Sequence, residues 1–317
     1  MAVVDTLAAV SKDWLDTGSS IRQEAVSALQ VSTGYSQLLI ERALDAVFAE
    51  LTAEKMNVYL ASLKLSKTPG KPKVFLHIAA GNVFTAWLHG AVITLLVGHH
   101  VWIKPSSQEP VFAGLWKKSV ARHDPALAES IRIVAWSDRL AQEVDGVIAY
   151  GSDETLQVLK DKLPGLPFVG YGHKMSVAIV FSAAALAQWH GTVNAVCLDI
   201  EAFDLGGCLS PQIFYVQDDE KTLVQAVQGQ FHGSHFPEWK AFDALDTVWR
   251  DMTAYQDHLS CVGIIADEDQ RRQVEAHFVN RPDVRICEVG DMQKPPLSWR
   301  NGGVHLGEFL LKCGSRI

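Results

Sequence analysis

From residue 1 to about residue 65 the apolar positions recur at spacings of three and four. The run GYSQLLIERALDAVFAELTAEKMNVYLASL contains no proline, so this period predicts amphipathic helices. The opening MAVVDTLAAVSKDWL interrupts its apolar positions with Asp5 and Lys12, as an amphipathic helix does and the unbroken core of a secretory signal does not. SKTPGKP then ends the pattern in a predicted turn or linker. From Lys73 the period changes. KVFLHIAA, HHVWIK, ESIRIVAW and DGVIAY are short apolar runs of buried-strand type, separated by helix-like stretches, and VGYGHKMSVAIVF predicts one more strand. Strands alternating with helices over Lys73 to Phe181 predict a parallel sheet with helices on both faces. After about residue 195 the alternation is less regular, with PQIFYVQ, LSCVGIIAD and VRICEVG as strands and DDEKTLVQAVQGQF and DEDQRRQVEAHFV as helices.

Length and charge narrow this picture. A chain of 317 residues accommodates two ordinary domains, and 48% apolar with 20% charged residues fits a folded protein. The net charge of -8 argues against nucleic acid as a partner, because phosphate binding needs a basic surface. Five cysteines without regular spacing, and without a C-x-x-C pair, read as a reduced chain with neither a disulfide framework nor a structural zinc or other metal site. The longest apolar runs, GAVITLLVG and MSVAIVFSAAALA, are too short to span a bilayer, so the expected location is cytoplasmic.

Three stretches carry candidate chemistry at predicted strand ends. AAGNVFTAW places Gly81 and Asn82 between a strand and a helix, where backbone N–H groups and an amide suit a phosphate or an oxyanion. The same two residues also serve an ordinary βα turn. WIKPSSQEP puts Lys104 at the carboxyl end of a strand, the edge at which open parallel sheets bind ligands. YGSDETLQVL offers Ser152 or Asp153 as a helix N-cap, facing a cofactor or simply capping. The G-x-G-x-x-G dinucleotide fingerprint is absent.

Cys208 stands apart from the other four cysteines. It sits in AFDLGGCLSPQ behind Gly206 and Gly207 and ahead of Pro211, whereas Cys197, Cys261 and Cys287 lie in apolar runs and Cys313 lies near the end. Glycines permit a tight turn, and N–H dipoles around an accessible thiol would favour the thiolate. If one cysteine is a nucleophile, it is Cys208.

HIAAGNVFTAWLHG, IKPSS, YGSDETL, FVGYGHKMSVAIV and DLGGCLSPQ, in this order from His77 to Gln212, resemble the acyl-CoA reductases of bacterial bioluminescence (LuxC-type), a branch of the aldehyde dehydrogenase superfamily. The resemblance implies an α/β, aldehyde-dehydrogenase-like fold. It would comprise N-terminal helices with an NAD(P)-binding domain over 1–195, a smaller α/β catalytic domain over 196–317, and an active site between them. Cys208 falls at the acyl-accepting cysteine and Asn82 at an oxyanion-holding amide. Lys104 falls at the lysine that contacts the adenosine ribose or its 2′-phosphate, and Gly151 and Ser152 at a Gly-Ser pair by the pyrophosphate. Ala80, Gly81, Ser106 and Ser107 complete the implied cofactor contacts.

Two departures refine the expected chemistry. Hydrolytic relatives carry a water-activating glutamate in an ELGGK stretch, where VGYGHK has Gly170 and Tyr171 and no carboxylate. An acyl thioester on Cys208 is therefore expected to wait for hydride, with His173 as a candidate for proton transfer. After KPS the superfamily often has a ribose-binding glutamate. Here Ser107 stands instead, which points to NADPH, although nearby Glu109 leaves NADH open. The expected activity is NADPH-dependent reduction of an acyl-CoA or other acyl thioester to a fatty aldehyde. The alternatives are a cysteine acyltransferase without hydride transfer, and a non-catalytic subunit that binds acyl groups or a partner. The chain is short for the superfamily, which puts the usual oligomerisation strands and part of the substrate-binding region in doubt, while an acyl-transferring protein partner and a homo-oligomer stay open.

Overall fold

The structure is a computed structural model describing residues 2–63, 71–218 and 220–314. Residues 66–70 of the SKTPGKP break lie outside the described residues. The chain forms two α/β units, each built on a five-stranded parallel sheet.

The first unit comprises Met1–Gly172 together with Pro296–Trp299 and Val304–Ile317. Its strands are β1 (Val74–Ile78), β2 (His100–Lys104), β3 (Ile131–Ile133), β4 (Gly146–Tyr150) and β5 (Phe168–Tyr171), in the order β3-β2-β1-β4-β5. The pleat sends Leu76 and Ile78 of β1, with Val147 and Ala149 of β4, into an apolar layer under the helix Asp153–Lys162. His77 faces the opposite way and bonds Thr94 of the helix Leu88–Leu96 through Nε2 at 3.1 Å. The first 62 residues form four helices, Val3–Leu15, Ser20–Thr33, Gln37–Phe48 and Ala53–Ser62. They join the sheet unit through an aromatic cluster. Trp14 stacks on Phe48 at 4.8 Å and meets Phe112 edge-on at 5.3 Å, and Phe112 in turn contacts Phe84 and Trp87. The Trp14 indole N–H, which burial would otherwise leave unpaired, donates to Ser119 Oγ at 2.8 Å.

The second unit comprises His173–Pro295 and Arg300–Gly303. Its strands β6 (Met175–Val180), β7 (Pro211–Gln217), β8 (Glu238–Phe242), β9 (Leu259–Ile265) and β10 (Arg285–Glu288) run in the order β10-β9-β6-β7-β8. The helix Trp189–Glu201 covers one face through Val193, Val196 and Ile200. Val248, Met252 and Val274, from the helices Leu245–Met252 and Glu268–His277, cover the other.

Three expectations change. VGYGHKMSVAIVF holds two strands: β5 pairs with β4 in the first sheet, and β6 pairs with β7 and β9 in the second. The division of the chain consequently falls between Gly172 and His173 and not at 195/196, because the ladder of β6 belongs wholly to the second sheet. The C-terminal helix Leu306–Gly314 lies in the first unit, where Gly307 N–H donates to Tyr59 Oη at 3.0 Å. Among the described residues no helix is long and apolar enough to cross a membrane.

Candidate functional site

In the first unit, parallel register brings three sequence-distant loops to one sheet edge. Ile78 of β1 pairs with Lys104 of β2 and with Ala149 of β4, so residues 79–82, 104–107 and 150–152 all leave the carboxyl ends of neighbouring strands. This is the point where strand order reverses, the usual location of a ligand crevice in open α/β sheets. The first two loops touch. A Cβ on Gly81 would lie 2.8 Å from Ser106 Oγ and would overlap the Gln108 side chain, so a larger residue here would require those side chains to move. Ala79 N–H extends the ladder by donating to Lys104 O at 3.0 Å.

The turn at Asn82 differs from its expected form. The next helix begins only at Leu88, so Asn82 is not at a helix N-terminus, and its backbone is held instead by Tyr35, whose hydroxyl donates to Asn82 O at 2.8 Å. Tyr35 comes from the link between the second and third helices, and nothing in its local sequence signals this contact. Ser152 acts as N-cap of the helix Asp153–Lys162, its Oγ accepting from Thr155 N–H at 3.2 Å. Beside this helix, Trp136, Glu154, Thr155, Val158, Leu159 and Lys162 line a groove of about 280 Å³. Glu109, left open as a ribose ligand, is buried, and its Oε1 accepts the N–H groups of Val111 and Phe112 at 2.8 Å each. Burial raises the Glu109 pKa, and those two donors oppose the rise. Its carboxylate caps the helix Phe112–His123.

The strand β5 carries no carboxylate where hydrolytic relatives were expected to have one. A side chain at Gly170 would press on Leu156 and Phe168, each 3.0 Å from a Cβ there, and Tyr171 stacks on Tyr150 at 4.8 Å. A carboxylate does reach this strand end from elsewhere, because the Asp153 carboxyl occupies the space beside Gly172 that a Cβ would need.

In the second unit, Cys208 lies in the turn that leads into β7. The expectation that Gly206 and Gly207 supply the turn's unusual geometry is not met. Three non-glycine residues before them, Phe203, Asp204 and Leu205, take φ values of 51°, 50° and 61°, while Gly206 has φ -75°. Each left-handed non-glycine residue costs about 1 kcal/mol or more, so the surrounding structure must hold the run. Asp204 supplies part of that hold. Its Oδ1 accepts Ser234 N–H at 2.7 Å and His235 N–H at 3.1 Å, and its Oδ2 pairs with His235 Nδ1 at 2.8 Å. Ser176 of β6 donates to Cys208 O at 2.6 Å, Gln212 Nε2 donates to Leu205 O at 2.9 Å, and Ser210 Oγ donates to Ala202 O at 3.2 Å.

The thiol does not show the depressed pKa expected of an exposed turn. Cys208 is only partly buried as a residue, yet desolvation of its thiol pushes the pKa up to about 11. Two histidines stand on the same sheet edge. Ser176 pairs with Pro211 and Met175 with Leu259, so the amino ends of β6, β7 and β9 carry His173, Cys208 and His258 side by side along the sheet. The rings of His173 and His258 are 5.9 Å apart, and His258 Nδ1 lies 3.4 Å from His173 O. His258 is identified only by strand pairing, because 85 residues separate it from His173.

Comparison with known proteins agrees with this architecture. A sequence model of the family described as acyl-CoA reductase (LuxC) matches residues 1–233. No curated protein sequence matches the chain. Among solved structures, aldehyde dehydrogenase 21 from Physcomitrella patens, in complex with succinate, superposes with TM-score 0.68 at 10% identity, covering 92% of this chain and 79% of that one. Succinic semialdehyde dehydrogenase from Streptococcus pyogenes, in complex with NADP+, gives TM-score 0.68 at 13% identity, with 90% and 81% covered. An Escherichia coli NADP-dependent enzyme gives TM-score 0.66 at 12% identity, with 92% and 78% covered. At these identities the likeness shows a shared aldehyde-dehydrogenase-like fold.

A thiol with its pKa near 11 is about one part in ten thousand thiolate at pH 7. Alkylation of Cys208 by iodoacetamide, followed by peptide mass mapping, should therefore rise close to tenfold per pH unit from pH 7 to 10. A plateau reached below pH 8.5 would show a depressed thiol and contradict this desolvated setting.

Proposed function

Because the chain belongs to the acyl-CoA reductase (LuxC) family, we propose that it reduces an acyl thioester to the aldehyde through an S-acyl intermediate on Cys208, with NADPH as the reductant. The observation that carries this reading is the Cys208 turn, a solitary thiol on a strained loop whose carbonyls are fastened by side chains of neighbouring elements.

The first half-reaction is acyl transfer. Sγ of Cys208 attacks the thioester carbonyl carbon. With so little thiolate at neutral pH, the thiol proton must leave as the bond forms, and His173 is assigned to receive it, with His258 beside it. The Asn82 amide and the Cys208 backbone N–H are assigned to the tetrahedral oxyanion. One such donor typically contributes about 3 kcal/mol to barrier lowering. Collapse expels the CoA or carrier thiolate, which takes a proton, and leaves the acyl group on sulphur. For the second half-reaction, a nicotinamide dinucleotide held by the first sheet edge would supply the hydride that reduces the thioester carbon. Asn82 again stabilises the oxygen, and loss of the Cys208 thiolate releases the aldehyde; the thiolate then takes up one proton from solvent, which restores the enzyme.

The residues of the first sheet edge fit a dinucleotide. The close approach at Gly81 keeps a narrow loop beside Ser106, Ser107 is exposed, and Lys104 stands at the end of β2. With Glu109 committed to capping, no carboxylate remains in the KPSSQE turn to repel a 2′-phosphate, which supports NADPH.

NADPH oxidation across acyl-CoA chain lengths, with the aldehyde detected directly, tests the reading. Wild type should produce one aldehyde per NADPH, and Cys208→Ala should produce none above background. Equal rates in both would overturn the assignment of Cys208. For the cofactor, Ser107→Glu should lower the NADPH-to-NADH ratio of kcat/KM by about tenfold or more, the effect of roughly 1.4 kcal/mol of like-charge repulsion. An unchanged ratio would place the 2′-phosphate away from residue 107.

A further inference from the structure

The turn that follows β10 bears on the Cys208 turn. Residues 289–294 form a compact loop fastened from two sides. From the helix Trp189–Glu201, the buried Asp199 carboxylate accepts the N–H of Gly290 and, at 3.2 Å, that of Met292. From β10, the Arg285 guanidinium donates to the carbonyls of Met292 and Asp291, both at 2.8 Å, and of Lys294 at 3.0 Å. Gly290 has φ +97°, and a Cβ there would lie 3.0 Å from the Ala195 Cβ, so the loop sits directly on the helix. A loop tied down in this way holds its remaining side chains in fixed positions. One of them, Gln293, reaches out of the loop, and its Nε2 donates to Ser210 Oγ at 3.2 Å.

Ser210 is the residue that closes the Cys208 turn. Its backbone N–H donates to Gly207 O at 3.0 Å, its hydroxyl donates to Ala202 O at 3.2 Å, and it is fully buried. Its single hydroxyl proton is spent on Ala202, so the lone pair facing Gln293 requires a donor. Burial also pushes the Asp199 carboxyl up to about 7, a rise opposed by the Gly290 and Met292 N–H groups.

We propose that the 289–294 loop is a latch on the nucleophile turn, in which Gln293 is a positioning residue that sets the placement of Cys208 through Ser210, and Asp199 and Arg285 anchor the latch. This rests on the reading of Cys208 as acyl acceptor and adds a residue set that acts on it through one hydrogen bond. The acceptor character of Ser210 makes the proposal specific. Gln293→Glu keeps the shape of the side chain and removes the donor, so it should behave like the apolar Gln293→Met.

The test is the rate of Cys208 acylation in the first turnover, measured on the full chain by quenched flow and peptide mass mapping. Wild type is compared with Gln293→Met, Gln293→Glu, Ser210→Ala and the Ser210→Ala/Gln293→Met double variant, and Cys208→Ala is the control. Loss of one neutral hydrogen bond predicts acylation about fivefold slower in both Gln293 variants, with KM for NADPH unchanged. The double variant should be no slower than Ser210→Ala alone, because both changes break the same bond. A role confined to folding would lower the thermal stability of both Gln293 variants while leaving the acylation rate of the folded protein at the wild-type value. Wild-type acylation rates in both Gln293 variants, with Cys208→Ala inert, would overturn the latch alone. Acylation persisting in Cys208→Ala would overturn the reading on which the latch rests.

Discussion

Much of this structure depends on the bond from Ser176 to Cys208. A central strand of the second sheet, β6, places a buried hydroxyl 2.6 Å from the carbonyl of Cys208 and so ties the cysteine turn to the sheet. The approach to that point is costly, since Phe203, Asp204 and Leu205 adopt left-handed backbone. Each neighbouring polar group offsets some of that cost: Asp204 with the 234–235 backbone, Gln212 with Leu205, and Ser210 with Ala202. Strain held by an over-determined hydrogen-bond network is how a short turn keeps one geometry without a disulfide or a metal.

The same burial that fixes the turn raises the thiol pKa, and this shapes the chemistry. A depressed thiol would react with any electrophile, whereas a desolvated one reacts when a base takes its proton at the moment of attack. His173 and His258 stand along the same sheet edge because β6 and β9 are paired neighbours. In the first unit, an analogous economy of position gathers the β1, β2 and β4 loops at one edge, with Glu109 withdrawn into a helix cap and Gly81 pressed against Ser106.

The strands were legible in sequence where apolar runs were bounded by turns, as for β1, β2, β4, β7 and β9. They were not legible where a single run served two sheets. VGYGHKMSVAIVF reads as continuous because Gly172, His173 and Lys174 form too short a break to register, yet the chain changes sheets there. The strand β8, EWKAF, was missed because an edge strand with Glu238 and Lys240 lacks the apolar signal of a buried one. Cys208 was legible from its two glycines and proline, although the left-handed geometry proved to lie just upstream. The partners of its turn were not legible, since Ser176 and Gln293 stand far away in sequence and meet it only through sheet pairing and loop docking.

On the proposed mechanism, an acyl group on Cys208 waits for hydride and is not hydrolysed. Intact mass spectrometry of the protein mixed with an acyl-CoA in the absence of nicotinamide cofactor measures it directly. The account predicts a stable adduct of one acyl mass on Cys208, discharged as aldehyde when NADPH is added. An adduct that decays to free fatty acid at the same rate without NADPH would contradict it.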